Sequence, residues 1–375
     1  MKNHPIYTTI SIFLILISCK KNDIMTMQTE KFEWLPVVSG DKICPVEIVN
    51  GSFVFSDETS SSIPIGEYLN GDWGISNGTM VVGDDFKKVP KQMLITWFSY
   101  AENKFYKGNF ELPQKTIYDI LRKDYGKSMM PDGSEYQNEF TRLLIGFAPQ
   151  GLMTLWISGL GNKEIGTYQA TETSDIEWSN FHKGEKSLLV NSRREEMLKF
   201  VQEEISQGKV NNSYFKNRLK RYLYKIKTNR NDFKIYNYDI VFLNNEVISN
   251  TNTGLEFLND TTNGKAVPIS MAIFVEDQFS RRLEVRIWVD LLDGKTTREN
   301  DYLKDLEKRN FNIQLMERFK TFFAQNENVE LYIKFNNEIV KSNINKPVYS
   351  GKVYLKSPTS EVEIPNSKVE VYDAE

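Results

Sequence analysis

The stretch QMLITWFSYAENKFYKGNFEL, residues 92–112, decides the fold class. It reads as a strand to Phe98, a turn near Glu102-Asn103, and a returning strand with alternating aromatic side chains, which together make a β-hairpin. Pro113 and Gln114 then open a helix, TIYDILRKDYG, whose Ile117, Ile120 and Leu121 share one face and which Gly126 ends. Strands are predicted to resume at 141–147, at 152–158 after Pro149-Gln150-Gly151, and at 164–170. A hairpin, a helix and further strands in succession predict an α+β fold. The 23 Phe and 18 Tyr fit one rich in sheet.

Upstream, FEWLPVV reads as a strand, and Asn50-Gly51 within CPVEIVNGSFVFSD predicts a two-residue hairpin turn. A β-rich N-terminal lobe is therefore expected over 32–185. Downstream, a central helical pair is expected over 192–228, as SRREEMLKFVQEEIS and SYFKNRLKRYLYKIK. The second piece carries an apolar stripe at Phe215, Leu219, Tyr222, Leu223 and Ile226. A hairpin over 234–250 closes a first domain of residues 32–250. From 262 to 375 the order strand, strand, helix near 300–325, strands predicts a C-terminal β-α-β lobe. Two similarities point to a degenerate internal duplication. One is the frame V-P-x-x-M-x-I, at Val89 to Ile95 and again at Val267 to Ile273. The other is Phe242 to Asn250 against Phe335 to Asn343, with one deletion.

The N-terminus is read differently. Lys2 precedes the apolar run IYTTISIFLILI at 6–17, too short to span a bilayer comfortably as a helix. The run ends in Leu16-Ile17-Ser18-Cys19, which resembles a bacterial lipobox. Residues 1–18 are thus expected to be an export signal and Cys19 the acylated first residue. Two or three acyl chains, at roughly 0.8 kcal/mol per buried CH₂, suffice for stable anchoring. The bilayer is then one expected partner, the envelope the expected location, and the outer membrane the expected sorting from Lys20 after the cysteine. Residues 19–31 read as a flexible tether. With Cys19 acylated, Cys44 has no intramolecular partner, which excludes a disulfide framework. A net charge of −3 gives no reason to expect nucleic acid.

Four motifs carry a family resemblance: Phe32-Glu33-Trp34-Leu35-Pro36, Gly71-Asp72-Trp73-Gly74, the run Ile95 to Tyr106, and Ala148-Pro149-Gln150-Gly151 leading to Trp156-Ile157-Ser158-Gly159. Over about residues 32–250 the chain resembles the bacterial lipoproteins grouped as domain of unknown function 2931, common in the Bacteroidetes. The resemblance implies lipidation and a shared fold, and it carries no catalytic residue across. It also implies, by analogy of gene neighbourhood, a toxin-immunity role.

No catalytic or cofactor motif emerges. His182 is the one histidine left once His4 departs with the signal, and it sits in a loop reading, WSNFHKGE. Ser158 lacks the preceding glycine of a nucleophile elbow. Gly159, Gly161 and Gly166 have neither dinucleotide nor P-loop spacing. Glu33, Asp72 and Glu102 lie beside aromatics, so a carboxylate-dependent hydrolase stays open. Neither a metal nor a cofactor is expected. Two surfaces could bind a partner. The first is a basic helix at 216–230 with Lys216, Arg218, Lys220, Arg221, Lys225, Lys227 and Arg230, which acids of the preceding helix such as Glu204 could neutralise. The second is an aromatic platform of Trp34, Trp73 and Trp97, suited to a glycan or small ligand. The expected function is a non-catalytic, protein-binding lipoprotein, with glycan or small-ligand binding as the alternative.

Overall fold

The computed structural model describes residues 26–76, 78–79, 84–130, 132–289, 301–336 and 349–373. The expected export signal, Cys19 and the first part of the expected tether lie outside the described residues. The mixed α+β class stands, with sheet dominant.

The first lobe begins with β1 (Leu35–Ser39) and β2 (Val46–Val54), followed by the expected hairpin of β3 (Gln92–Ser99) and β4 (Lys104–Glu111). Asn103 takes a positive φ of 57° at the hairpin turn. Helix α1 (Gln114–Arg122) buries Ile117, Tyr118 and Ile120. Then come β5 (Phe140–Phe147), β6 (Leu152–Gly159), β7 (Asn162–Gln169) and, one residue on, β8 (Thr171–Thr173). The strand neighbours run β1-β5-β6-β7, and through β8 to β4-β3-β2. After a single helical turn at Trp178–Phe181, three short helices lead away: α2 (Lys186–Glu195), α3 (Lys199–Ser206) and α4 (Ser213–Arg218).

The second lobe contains β9 (Tyr224–Thr228), β10 (Lys234–Phe242), β11 (Val247–Ser249), β12 (Pro268–Glu276) and β13 (Arg282–Trp288). Helix α5 (Asp301–Gln325), β14 (Val329–Phe335), β15 (Tyr349–Lys356) and β16 (Lys368–Asp373) follow. Its neighbour order is β9-β14-β15-β16-β13-β12-β10. This is the first lobe's order, element for element, with β16 standing for β7 and β8 together. In both lobes the first strand pairs in parallel with the strand after the helix, β1 with β5 and β9 with β14. The V-P-x-x-M-x-I frames fall on the equivalent strands β3 and β12, where Met93, Ile95, Met271 and Ile273 are all buried. The second similarity does not follow the repeat. Its first copy forms the β10–β11 turn, and its second begins at the end of β14 and passes outside the described residues.

Three expectations are corrected. Asn50-Gly51 forms no turn, because β2 runs straight through it and pairs with β3 along its length, with the register slipping between Ile48 and Asn50. Gly51 serves packing instead: a Cβ there would lie 3.0 Å from that of Ile63. The helix expected at 216–230 ends at Arg218. From Tyr224 burial alternates, with Tyr224 and Ile226 inside and Lys225 outside, so the segment joins the sheet beside Val329–Ile333. Leu223, assigned to a buried stripe, is exposed. The hairpin over 234–250 does not close the first domain, since β10 pairs with β12 inside the second lobe.

The lobes are joined through β11, which pairs with β10 and touches β7 at Asn162 and Val247. Helix α5 has 25 residues against nine in α1, and its first half reaches the rest of the chain. Asp305 binds Lys42 of the first lobe at 2.9 Å, Arg309 binds Glu204 of α3 at 3.0 Å, and Asn312 donates to the Tyr214 hydroxyl at 2.9 Å.

Candidate functional site

The aromatic platform is not at the surface. Trp34, Trp73 and Trp97 are each 1 % exposed or less. Trp34 packs edge-on to Phe53, and Trp97 stacks on Tyr106 and meets Phe147, inside the first lobe. Trp73 lies between the first-lobe sheet and α4, edge-on to Trp156 at 4.8 Å and Phe215 at 5.2 Å. Burying their area is worth more than any exposed stacking role.

The basic segment is likewise divided. Arg218 lies over the Trp73 ring at 4.8 Å and donates to the Leu243 carbonyl at 2.6 Å. Arg221 is held by two carboxylates, and Arg230 pairs with Asp232. Lys216, Lys220 and Lys225 remain exposed, with Lys227 half-buried. Of the acids before this segment, Glu196 pairs with Arg193 and Glu204 with Arg309, both outside it.

Other single residues turn out to brace the first lobe. His182 Nε2 is 3.0 Å from Glu47 Oε2, which also accepts from the Tyr100 hydroxyl at 2.6 Å. Glu102 accepts from Ser99, from Tyr106 and from the Gln150 amide, fixing one loop to the next. Cys44 is fully buried beside Ser99, and burial pushes its thiol well up. Asp72 faces Lys42 at 3.9 Å, and Glu33 is exposed on a short strand. Among the described residues no three metal-ligating side chains gather.

A cleft of about 1250 Å³ opens where the lobes meet. One wall comes from the first lobe, with Lys123, Lys163, Glu164 and Ile165. The floor comes from Arg221 and the β10–β11 turn, and the opposite wall from the loop carrying Glu256, Asp260 and Lys265. The turn is built by Asn245 at a φ of 62°, closed by the Phe242 amide donating to the Glu246 carbonyl. Its residues bind across the junction. The Asn162 amide donates to the Asn245 carbonyl at 2.7 Å, the Glu164 backbone N–H donates to Glu246 Oε1 at 3.1 Å, and Trp156 Nε1 donates to the Asn244 carbonyl at 3.1 Å.

On that floor, Arg221 Nη2 contacts Glu164 at 3.1 Å and Glu246 at 2.9 Å, and Asn244 Nδ2 donates to both carboxylates. Burial raises Glu164 above the ordinary carboxylate value against the pull of Arg221. Against the cost of burial, Glu246 and Glu164 hold the Arg221 guanidinium above its own. The pair has the closeness that acid/base chemistry needs, yet its oxygens are taken up by Arg221, Asn244 and a backbone amide. That is the arrangement of a lobe-joining bridge. The sequence reading missed it because Glu164 stands 57 residues from Arg221.

The cleft walls carry opposite signs. Lys123 and Lys163 make no ion pair among the described residues, and burial lowers Lys163 below its ordinary value despite nearby Glu246. Opposite them, hydrogen bonds from Thr262 hold Asp260 down at about 2, so it is ionised at neutral pH. Lys265 is 1 % exposed and lies behind this wall, donating to the Tyr224 and Asp260 carbonyls, and burial brings it down to about 8. It braces the loop and does not face the opening.

Comparison with known proteins gives one family. The model described as "Protein of unknown function (DUF2931)" matches residues 20–209, which span the first lobe and reach past α3. No curated protein and no solved structure matches the chain.

Proposed function

We propose, from the premise that the chain belongs to the family of proteins of unknown function DUF2931, that it is an envelope lipoprotein anchored through Cys19. Its body binds another protein in the cleft between its two lobes. The observation that carries this reading is the cleft itself. At about 1250 Å³ it exceeds the usual ~300–1,000 Å³ of a small-molecule pocket, and charged side chains line it beside apolar ones such as Ile165 and Phe257. Lys123 and Lys163 on one side and Glu256 and Asp260 on the other suit a protein segment bearing both signs. Complementarity of this kind sets specificity and association rate and needs no reactive group. An envelope-delivered toxin domain, for which the protein would be an immunity factor, is the partner class that the sequence resemblance favours.

Anchoring rests on the Leu16-Ile17-Ser18-Cys19 motif. No described helix is long and apolar enough to cross a membrane. The test is fractionation of cells making the parent chain and Cys19→Ser. The parent is expected in the detergent-soluble membrane fraction with acyl mass on its N-terminal peptide, and the variant in the aqueous fraction. Equal membrane retention of both would remove the anchor from the reading.

A further inference from the structure

The duplication exposes a difference between the lobes that local packing alone does not explain. In the first lobe, Trp97 pairs with Ile48 of β2 on one side and Tyr106 of β4 on the other. Phe147 lies two residues beyond Ile145, the partner of Val38, and touches Trp97 at 5.0 Å. The same places in the second lobe are found by register. Val275 pairs with Ile235 of β10 and Leu283 of β13. Lys265 donates to the Tyr224 carbonyl as Lys87 does to that of Trp34, so Thr228 stands for Val38, its partner Ile333 for Ile145, and Phe335 for Phe147. Two aromatic side chains, Trp97 and Tyr106, thus have aliphatic counterparts in Val275 and Leu283, while the ring of Phe147 is kept as Phe335.

Where those rings would be, the second lobe has a cavity of about 240 Å³ between the sheet-edge strands β9 and β10. Its wall includes Ile226, Ile273, Val275, Val285, Ile333 and Phe335, each 5 % exposed or less. Protein interiors close-pack, and an apolar void of this size is destabilising when empty. A cavity of about 150 Å³ lined by such residues stays dry and takes benzene, so this one admits something longer. Polarity is confined to the mouth, where Thr228 and the exposed Asn231 and Asn259 lie. Of the two cations there, Lys227 alternates with the inward-facing Ile226 along β9, and the Arg230 guanidinium is bound to Asp232 at 2.8 and 2.5 Å. The mouth therefore suits an uncharged polar group better than a carboxylate.

We propose that the second lobe is a binding site for a medium-length alkyl chain with an uncharged polar head, the chain inside the cavity and the head at Thr228, Asn231 and Asn259. This site is separate from the inter-lobe cleft and does not depend on the protein-binding reading. Calorimetric titration of the full chain carrying Cys19→Ser, purified without detergent, tests it with 1-octanol and benzene as probes. One octanol per chain is expected, with the negative heat-capacity change of apolar burial. Val275→Phe restores ring volume that the first lobe holds at Trp97, and Ile333→Phe fills the cavity from β14. Each is expected to weaken octanol binding by about tenfold or more, since excluding two methylenes is enough for that. Their thermal midpoints should be unchanged or raised, which separates filling from misfolding. The milder Ile333→Phe remains decisive if Val275→Phe folds poorly. No saturable octanol binding in the parent, unchanged affinity in a folded filled variant, or preference for benzene would each overturn the proposal.

Discussion

Replacing Arg221 with methionine is expected to lower stability by about 3 kcal/mol at pH 7, measured by denaturant titration. The loss does not come from the arginine alone. It leaves Glu164 and Glu246, with side chains 14 % and 6 % exposed, facing one another with Asn244 as the remaining shared side-chain donor. Without Arg221, burial and the neighbouring carboxylate raise the folded-state pKa of Glu164 further above its unfolded value. The penalty is present at neutral pH, where the folded state must hold both charges. It fades as pH falls through the raised folded value and is gone below the unfolded one. The deficit relative to the parent should therefore shrink steadily from pH 7 toward pH 5. A deficit below about 1 kcal/mol, or one independent of pH, would mean that the bridge does not hold the lobes.

Trp73→Ala should cost about 4 kcal/mol, within the usual range for deleting a large buried aromatic. Its ring is 1 % exposed and meets Trp156, Phe215 and the Arg218 guanidinium at once. The void would open at the junction, so the two lobes should lose a common unfolding transition and separate into two. Pairing the change with Arg218→Met in a double-mutant cycle should give a coupling of about 1 kcal/mol from the stacked cation. An exposed platform residue would lose almost nothing on the same substitution, so a cost under about 1 kcal/mol would restore the surface reading of Trp73.

What the sequence made legible was local. The hairpin around Asn103, helix α1 and the strands after it, and helix α5 all carry their own turn chemistry or period, so their reading needed no distant partner. Asn50-Gly51 misled because a good turn pair was overridden by eight paired residues and the close approach of Ile63. The segment 216–230 misled because cations at short spacing imitate a helix face, whereas Tyr224 and Ile226 already alternate as a strand with Lys225. One of the two similarities, around Val89 and Val267, lay on equivalent strands, and the full repeat emerges only from strand order. The site itself was the least legible part. Glu164, Arg221 and Glu246 come from separate elements, and nothing within a short window links them. Lys123 and Lys163 had no distinguishing neighbour in sequence, and Arg221, chosen as a docking residue, is committed to the bridge.

The central claim is that the charged cleft receives a protein. It is tested most directly by capturing the full chain from its own cells, with and without a competing strain, beside the variant Lys123→Glu with Lys163→Gln. Bound proteins are identified by mass spectrometry, and affinity is then measured across a range of salt. A stoichiometric protein partner is expected on the parent, weakened about tenfold or more in the variant and by added salt in the parent. Recovery of the parent alone under both conditions, or a partner held equally by the variant, would contradict the account.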